Sequence, residues 1–157
     1  IAFRKVSKPV SSWKYGVIAV IALLHDVLIP VAVFALFDLQ VTSLFVVGLL
    51  SILGLSVNDT IVVFDRIREN LKENKSNEVK EDFSQTVGNA LGQTMARSIN
   101  TSLTLIVVLV VLMIAGPLAT RSLALILLIG TVLGTYSSLF VASPLLVLWQ
   151  GKKKNDE

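Results

Sequence analysis

Four ionisable side chains stand in sequence that is otherwise apolar: His25, Asp26, Asp59 and Arg97. A charge at the centre of a bilayer costs about 2.5–3.5 kcal/mol on insertion scales, and such residues turn toward a bundle interior and mark an ion path or a proton relay. Asp59 and Arg97 are opposite in sign, so they are candidates for an intramembrane ion pair. Burial raises a carboxyl pKa and a neighbouring guanidinium lowers it. A pair of this kind therefore changes protonation state if it separates during a cycle. The same two residues also suit a static pair that only sets helix register, and spacing leaves both readings open. His25 and Asp26 are adjacent, so on a helix they point about 100° apart and need not interact. Asp65 and Arg66 close an apolar stretch, where a solvated helix end explains them equally well.

The uncharged polar and small residues around these four fall into stripes. Ser51, Gly54, Asn58 and Asp65 share one helical face, and Ser56, Asp59 and Arg66 a neighbouring one. Arg97, Asn100, Thr101 and Thr104 form a third. Gly130, Gly134 and Ser137 form a fourth, with Thr131, Thr135 and Ser138 beside it. Small residues let helices approach closely, and polar ones then find partners across the contact. Ser51, Gly54, Gly130 and Gly134 are thus expected to pack helix on helix, one stripe within the bundle and one against a partner. A GxxxG spacing alone says no more than packing.

Other chemistries are disfavoured. Cysteine is absent, which removes disulfides, thiolate metal sites and cysteine nucleophiles, and a single histidine cannot build a multi-histidine metal site. No Gly-rich phosphate loop with a lysine and no nucleophile–base–orienter set is present, so neither an enzyme nor a cofactor is expected. The net charge of +3 does not point to nucleic acid, because the basic residues cluster beside apolar runs as membrane flanks.

The elements that position these residues follow from hydropathy. Of the 157 residues, 54% are apolar and 16% charged, with a mean hydropathy of +0.76; soluble domains carry about 25% charged residues. A spanning helix needs about 20 apolar residues, and four such stretches occur, over 14–36, 41–65, 98–116 and 119–149. The expected fold is an all-α, polytopic membrane helix bundle, one transmembrane domain over 1–157. Val79, Phe83, Val87, Leu91 and Met95 recur every fourth residue, which predicts an amphipathic helix over 78–96 lying in the membrane interface. The alternative is a short cytoplasmic helix packed on a partner. Ile1 to Lys5 reads as the end of a preceding helix, and the chain as the C-terminal part of something longer; no stretch fits a signal peptide. Thirteen of the fourteen basic residues, all but Arg121, fall on one side of this topology. By the positive-inside rule both ends of the segment face the cytoplasm.

Two motifs then become specific. Leu24-His25-Asp26-Val27, and the run Ser56-Val57-Asn58-Asp59-Thr60-Ile61-Val62-Val63-Phe64-Asp65-Arg66-Ile67-Arg68-Glu69-Asn70, resemble the SecF family, the smaller half of the SecD/SecF accessory complex of bacterial protein export. Arg97 with Thr101-Ser102, and Val141-Ala142-Ser143, resemble the family's next helix opening and its closing segment. The similarity runs over nearly the whole chain. It implies a transporter of the resistance-nodulation-division type in the bacterial inner membrane, using the proton-motive force to assist export. The implied partners are SecD, the Sec translocon and, indirectly, the exported polypeptide, within the lipid bilayer. The family associates the positions of Asp59 and Arg97 with cation coupling, the cation being H+ rather than a bound cofactor. Asn58 joins them here, with His25, Asp26, Ser56, Thr101 and Asp65 as contributors. Sodium would suit the same groups. The family's first helix and outer domain are not in this sequence, and the basic approach over 5–14 is longer than the family's. The alternatives are a lipid or drug exporter of the same superfamily, or a non-transporting subunit that stabilises the translocon.

Overall fold

The computed structural model describes residues 12–79 and 81–154; the preceding helix expected at 1–5 lies outside them. Among the described residues every regular element is a helix, and no strand occurs. The elements are α1 (Ser12–Leu36), α2 (Ser43–Ser76), α3 (Phe83–Ala115), α4 (Leu118–Ser137), a π-helical segment (Ser138–Ala142) and α5 (Ser143–Lys154), which continues α4 without a break. Four of the resulting rods are long and apolar enough to cross a membrane: Trp13–Leu36, Ser43–Ser76, Phe83–Ala115 and Leu118–Gln150. Backbone groups have no water to bond in hydrocarbon, so continuous helices are the form such a sequence must take.

One expectation changes. The amphipathic helix expected over 78–96 is met in part: a helix is there, but it begins at Phe83 and is the opening of α3, which runs unbroken for 33 residues, rather than a separate element. With 34 residues, α2 is about 51 Å long at 1.5 Å per residue, well beyond a hydrocarbon core of about 30 Å. The end of α2 and the start of α3 therefore project together as a hairpin. Of the predicted apolar stripe, Val87 is buried, Phe83 and Leu91 are half-buried against the bundle, and Val79 and Met95 are exposed. The apolar face turned onto its own protein rather than onto lipid because α2 offers a matching face directly opposite. Polar side chains lace the hairpin. Glu81 accepts hydrogen bonds from Asn74, Thr86 and Asn89, each at 2.7 Å. Gln93 accepts from Arg66 at 2.6 Å and Asn70 at 3.1 Å.

Two turns stop helices with a residue in the left-handed region, Asp38 (φ 49°) and Glu78 (φ 55°). After each, the next amide reaches back to a helix carbonyl, Leu39 to Phe34 and Val79 to Asn74, both at 2.9 Å. These bonds satisfy carbonyls that a helix end leaves orphaned.

The interior is layered along the bundle axis. At the hairpin end Tyr15, Ile18, Val63, Phe64, Ile67, Val87, Ala90 and Leu146 form one apolar cluster, with Tyr15 and Phe64 edge-on at 5.2 Å. Trp13 meets Trp149 edge-on at 5.5 Å and Lys14 lies over the Trp149 ring, an aromatic and basic girdle of the kind found at membrane surfaces. At the other end Phe34, Phe45, Ile52 and Ile126 form a second cluster. The layer between the two is polar.

Candidate functional site

The middle layer is built from hydroxyls around one carboxylate. Asp26 on α1 is wholly buried. Its Oδ2 accepts hydrogen bonds from Ser56 of α2 and from Ser137 of α4, the latter at 2.6 Å. Its Oδ1 lies 3.0 Å from Nδ1 of His25, whose side chain is one-third exposed. The neighbours do meet: a 100° offset separates where two side chains leave the helix, but an imidazole is long enough to fold back onto the next carboxylate. Asp26 thus ties together three elements, a role that spacing within α1 could not show. One signal was present in the sequence. Pro30 lies four residues on and has no N–H, so the Asp26 carbonyl lacks its usual helical donor.

The glycine stripe of α4 is what brings α2 this close. A Cβ at Gly130 would collide with Ile52, and one at Gly134 would lie 3.4 Å from the Ser56 Cβ and 3.9 Å from Asp26 Oδ2. Ser137 continues the stripe to the carboxylate. The other stripe differs: Ser51, Gly54 and Asn58 face outward, and a Cβ at Gly54 would meet nothing within 4 Å.

Asp59 is half-buried one turn from Ser56 along α2. It lines a cavity of about 40 Å³ with Asn58, Ser56, Thr101, Ser102, Thr131, Gly134 and Thr135, large enough for about two water molecules. Ser102 and Thr135 are hydrogen-bonded across its wall. Arg97 is elsewhere. It is exposed and lines an open recess with Asp65, Arg66, Glu69, Gln93 and Thr94. Among the described residues no ion pair joins Asp59 to Arg97; the pairs formed are His25–Asp26 and Arg66–Glu69. The offset is simple geometry. Thr101, four residues and about 6 Å further along α3 than Arg97, is the residue level with Asp59. Its hydroxyl bonds back to the Arg97 carbonyl at 2.9 Å.

The polar face expected on α3 is also the outer one, with Arg97, Asn100, Thr101 and Thr104 all exposed. The buried hydroxyls of α3 are instead Thr86, within the hairpin, and Thr94, Ser98 and Ser102, at four-residue intervals. Thr94 and Ser98 leave little mark in the sequence, because Ser and Thr amid aliphatic residues carry little hydropathy signal. Ser98 Oγ is buried and has no hydrogen-bond partner among the described residues. No group of three or more His, Asp or Glu that could hold a metal ion occurs among the described residues.

Four long apolar helices around a polar centre define a multi-pass membrane helix bundle with ionisable groups held in its middle layer. The profile described as Protein export membrane protein SecD/SecF, C-terminal, matches residues 10–152, and the chain belongs to that family. It is 50% identical to the protein translocase subunit SecF of Thermobaculum terrenum, over 96% of this chain and 47% of that protein. It is 44% identical to that of Anaerolinea thermophila, over 95% of this chain and 48% of that protein. A crystal structure of SecDF in a super-membrane-facing form superposes with a TM-score of 0.85 at 36% identity, covering 92% of this chain and 19% of that one. The chain spans about half the length of the curated relatives it matches.

Proposed function

We propose that this chain is the membrane part of a SecF subunit that assists Sec-dependent protein export, working beside SecD and the Sec translocon and driven by a cation, H+, that binds at Asp59. The observation that carries the coupling role is Asp59 itself, a carboxylate at membrane depth lining a small cavity that hydroxyl residues share with Leu55 and Leu105, with no counter-ion among the described residues. An uncompensated carboxylate there is costly, and binding a proton removes that cost. Arg97 stands a turn away in the recess with Asp65, placed to compensate Asp59 when the helices shift. A membrane potential supplies about 2.3 kcal/mol per charge per 100 mV, enough to bias such a shift. Export as the purpose is supported by the naming of the relatives as translocase subunits, and SecD as partner by the SecDF structure. Asn58 and Thr104, polar and turned outward, suit a protein neighbour better than lipid.

Asp59→Asn in the full-length protein is expected to abolish stimulation of export by the proton-motive force while co-purification with SecD persists. Full stimulation by the variant at normal expression would end the coupling role. Arg97→Lys is expected to damage the same stimulation, since an ammonium lacks the guanidinium's planar fork. For orientation, the bacterial inner membrane with both ends of this segment cytoplasmic is the reading that the basic residues support. Single cysteines at positions 39 and 118 should label from outside intact cells, and one at position 74 only after permeabilisation. The reverse pattern would invert the topology.

A further inference from the structure

Asp59 is not the only carboxylate in the membrane layer, and the other one is the better connected. We propose that the His25–Asp26 pair is a second proton-binding site, which exchanges its proton with Asp59 through the hydroxyl of Ser56; this rests on the reading of Asp59 as the cation-binding group.

The hydrogen-bond pattern locates the protons. Oδ2 of Asp26 is occupied by two hydroxyl donors, Ser56 and Ser137. Oδ1 faces His25 Nδ1 at 3.0 Å, a contact that is attractive only with a hydrogen between the two atoms. A proton therefore already lies on that line, carried by the ring or by the carboxyl. Any further proton must reach the carboxylate through a hydroxyl on Oδ2. Of the two serines, Ser56 is the residue that also borders the Asp59 cavity, three residues from Asp59 on the same face of α2. Ser137 bonds the same oxygen but does not line that cavity.

The wall between cavity and carboxylate is thin by design of the sequence. Gly134 stands beside both Ser56 and Asp26 Oδ2, and any side chain there would fill the gap. Two of the three helices that meet at Asp26 are irregular at this level. Pro30 frees the Asp26 carbonyl in α1, and the π-helical segment begins immediately after Ser137. π-Bulges recur at functional sites. Of the titratable groups on the surrounding elements, His25 touches Asp26 directly and Asp59 lies beyond Ser56. From α4 only hydroxyls and glycine face it; Tyr136 is exposed and stacked on Phe140, and Arg121 lies near the start of that helix, four turns from Ser137.

The transfer balances. A protonated Asp59 loses its O–H proton to water in the cavity, and that water passes one to Ser56 Oγ. The original Ser56 O–H bond breaks as a new O–H bond forms on Asp26 Oδ2. Asp59 ends ionised, Asp26 gains the proton, and Ser56 is restored with its hydroxyl reversed.

The test compares two alanines in the full-length protein with its partner, in inverted membrane vesicles. Ser56→Ala and Ser137→Ala each remove one hydrogen bond to the same oxygen. Ser56→Ala is expected to slow proton uptake about a hundredfold, as loss of a proton-transfer group does. Ser137→Ala is expected to slow it about fivefold, the worth of one hydrogen bond. Equal slowing, or uptake in Ser56→Ala at the wild-type rate, overturns the relay. Infrared pH titration scores Asp26 independently of Asp59: a protonated-carboxyl stretching band should vanish in Asp26→Asn and survive in Asp59→Asn. A band untouched by Asp26→Asn overturns the second site whatever Asp59→Asn does to export. Should Asp26→Asn fail to assemble, His25→Gln must shift that band, and an unshifted band has the same consequence.

Discussion

Two carboxylates occupy the middle of this bundle, and the chain treats them in opposite ways. Asp26 is sealed, with partners from α1, α2 and α4 and no exposed surface. Asp59 is half-open at a cavity and has no ionic partner among the described residues. A fully bonded buried carboxylate organises its surroundings, because each donor would be left unsatisfied without it. A half-bonded one is free to change partner or protonation state. Asp26 thus holds three elements together while Asp59 meets the cavity, and Ser56, bonded to the first and bordering the second, is the link through which a proton passes between them.

The division makes a large difference in stability measurable. Asp26→Leu strands Ser56, Ser137 and His25 and should cost about 3–5 kcal/mol, the usual loss when one member of a buried ionic pair is removed. Asp59→Leu should leave the thermal stability in detergent unchanged or raise it, because it removes a carboxylate that has no counter-ion among the described residues. Comparable losses from both would erase the distinction.

The two small-residue stripes sharpen the contrast at a smaller scale. Gly130→Leu must displace Ile52 and should cost about 1–3 kcal/mol of overpacking. Gly54→Leu meets open space and should leave the fold of this chain alone, its effect appearing as weakened co-purification of SecD. A destabilised Gly54→Leu in the absence of partner would place that stripe inside the bundle. The smallest effect concerns the polar hairpin that keeps α2 and α3, and so Asp59 and Arg97, in register. Glu78 holds a left-handed conformation that glycine adopts freely. Glu78→Gly should therefore raise stability by about 1 kcal/mol, with unchanged proton uptake. A loss of stability would mean that the side chain, not the turn, holds the hairpin.

Much of this is legible in the sequence. Four runs of apolar residues longer than a bilayer is thick have only one stable backbone solution in lipid, so helix number and approximate limits follow from hydropathy. The Ser56–Asn70 motif carries the family. The glycine stripe at Gly130 and Gly134 announced a close helix contact, because a missing side chain on one face is useful only if something fills it. What composition and spacing could not decide was which partner each face meets. The 3.6-residue period says that Ser56, Ser137 and Asp26 each lie on a polar stripe, but not that three stripes from three helices converge on one oxygen. It pairs Asp59 with Arg97 by sign alone, whereas the vertical offset of α3 against α2 sets Thr101, not Arg97, at the level of Asp59. Rotation and sliding of helices about their axes cost almost nothing in local propensity. They are settled by packing across the bundle, and only the tertiary structure carries that.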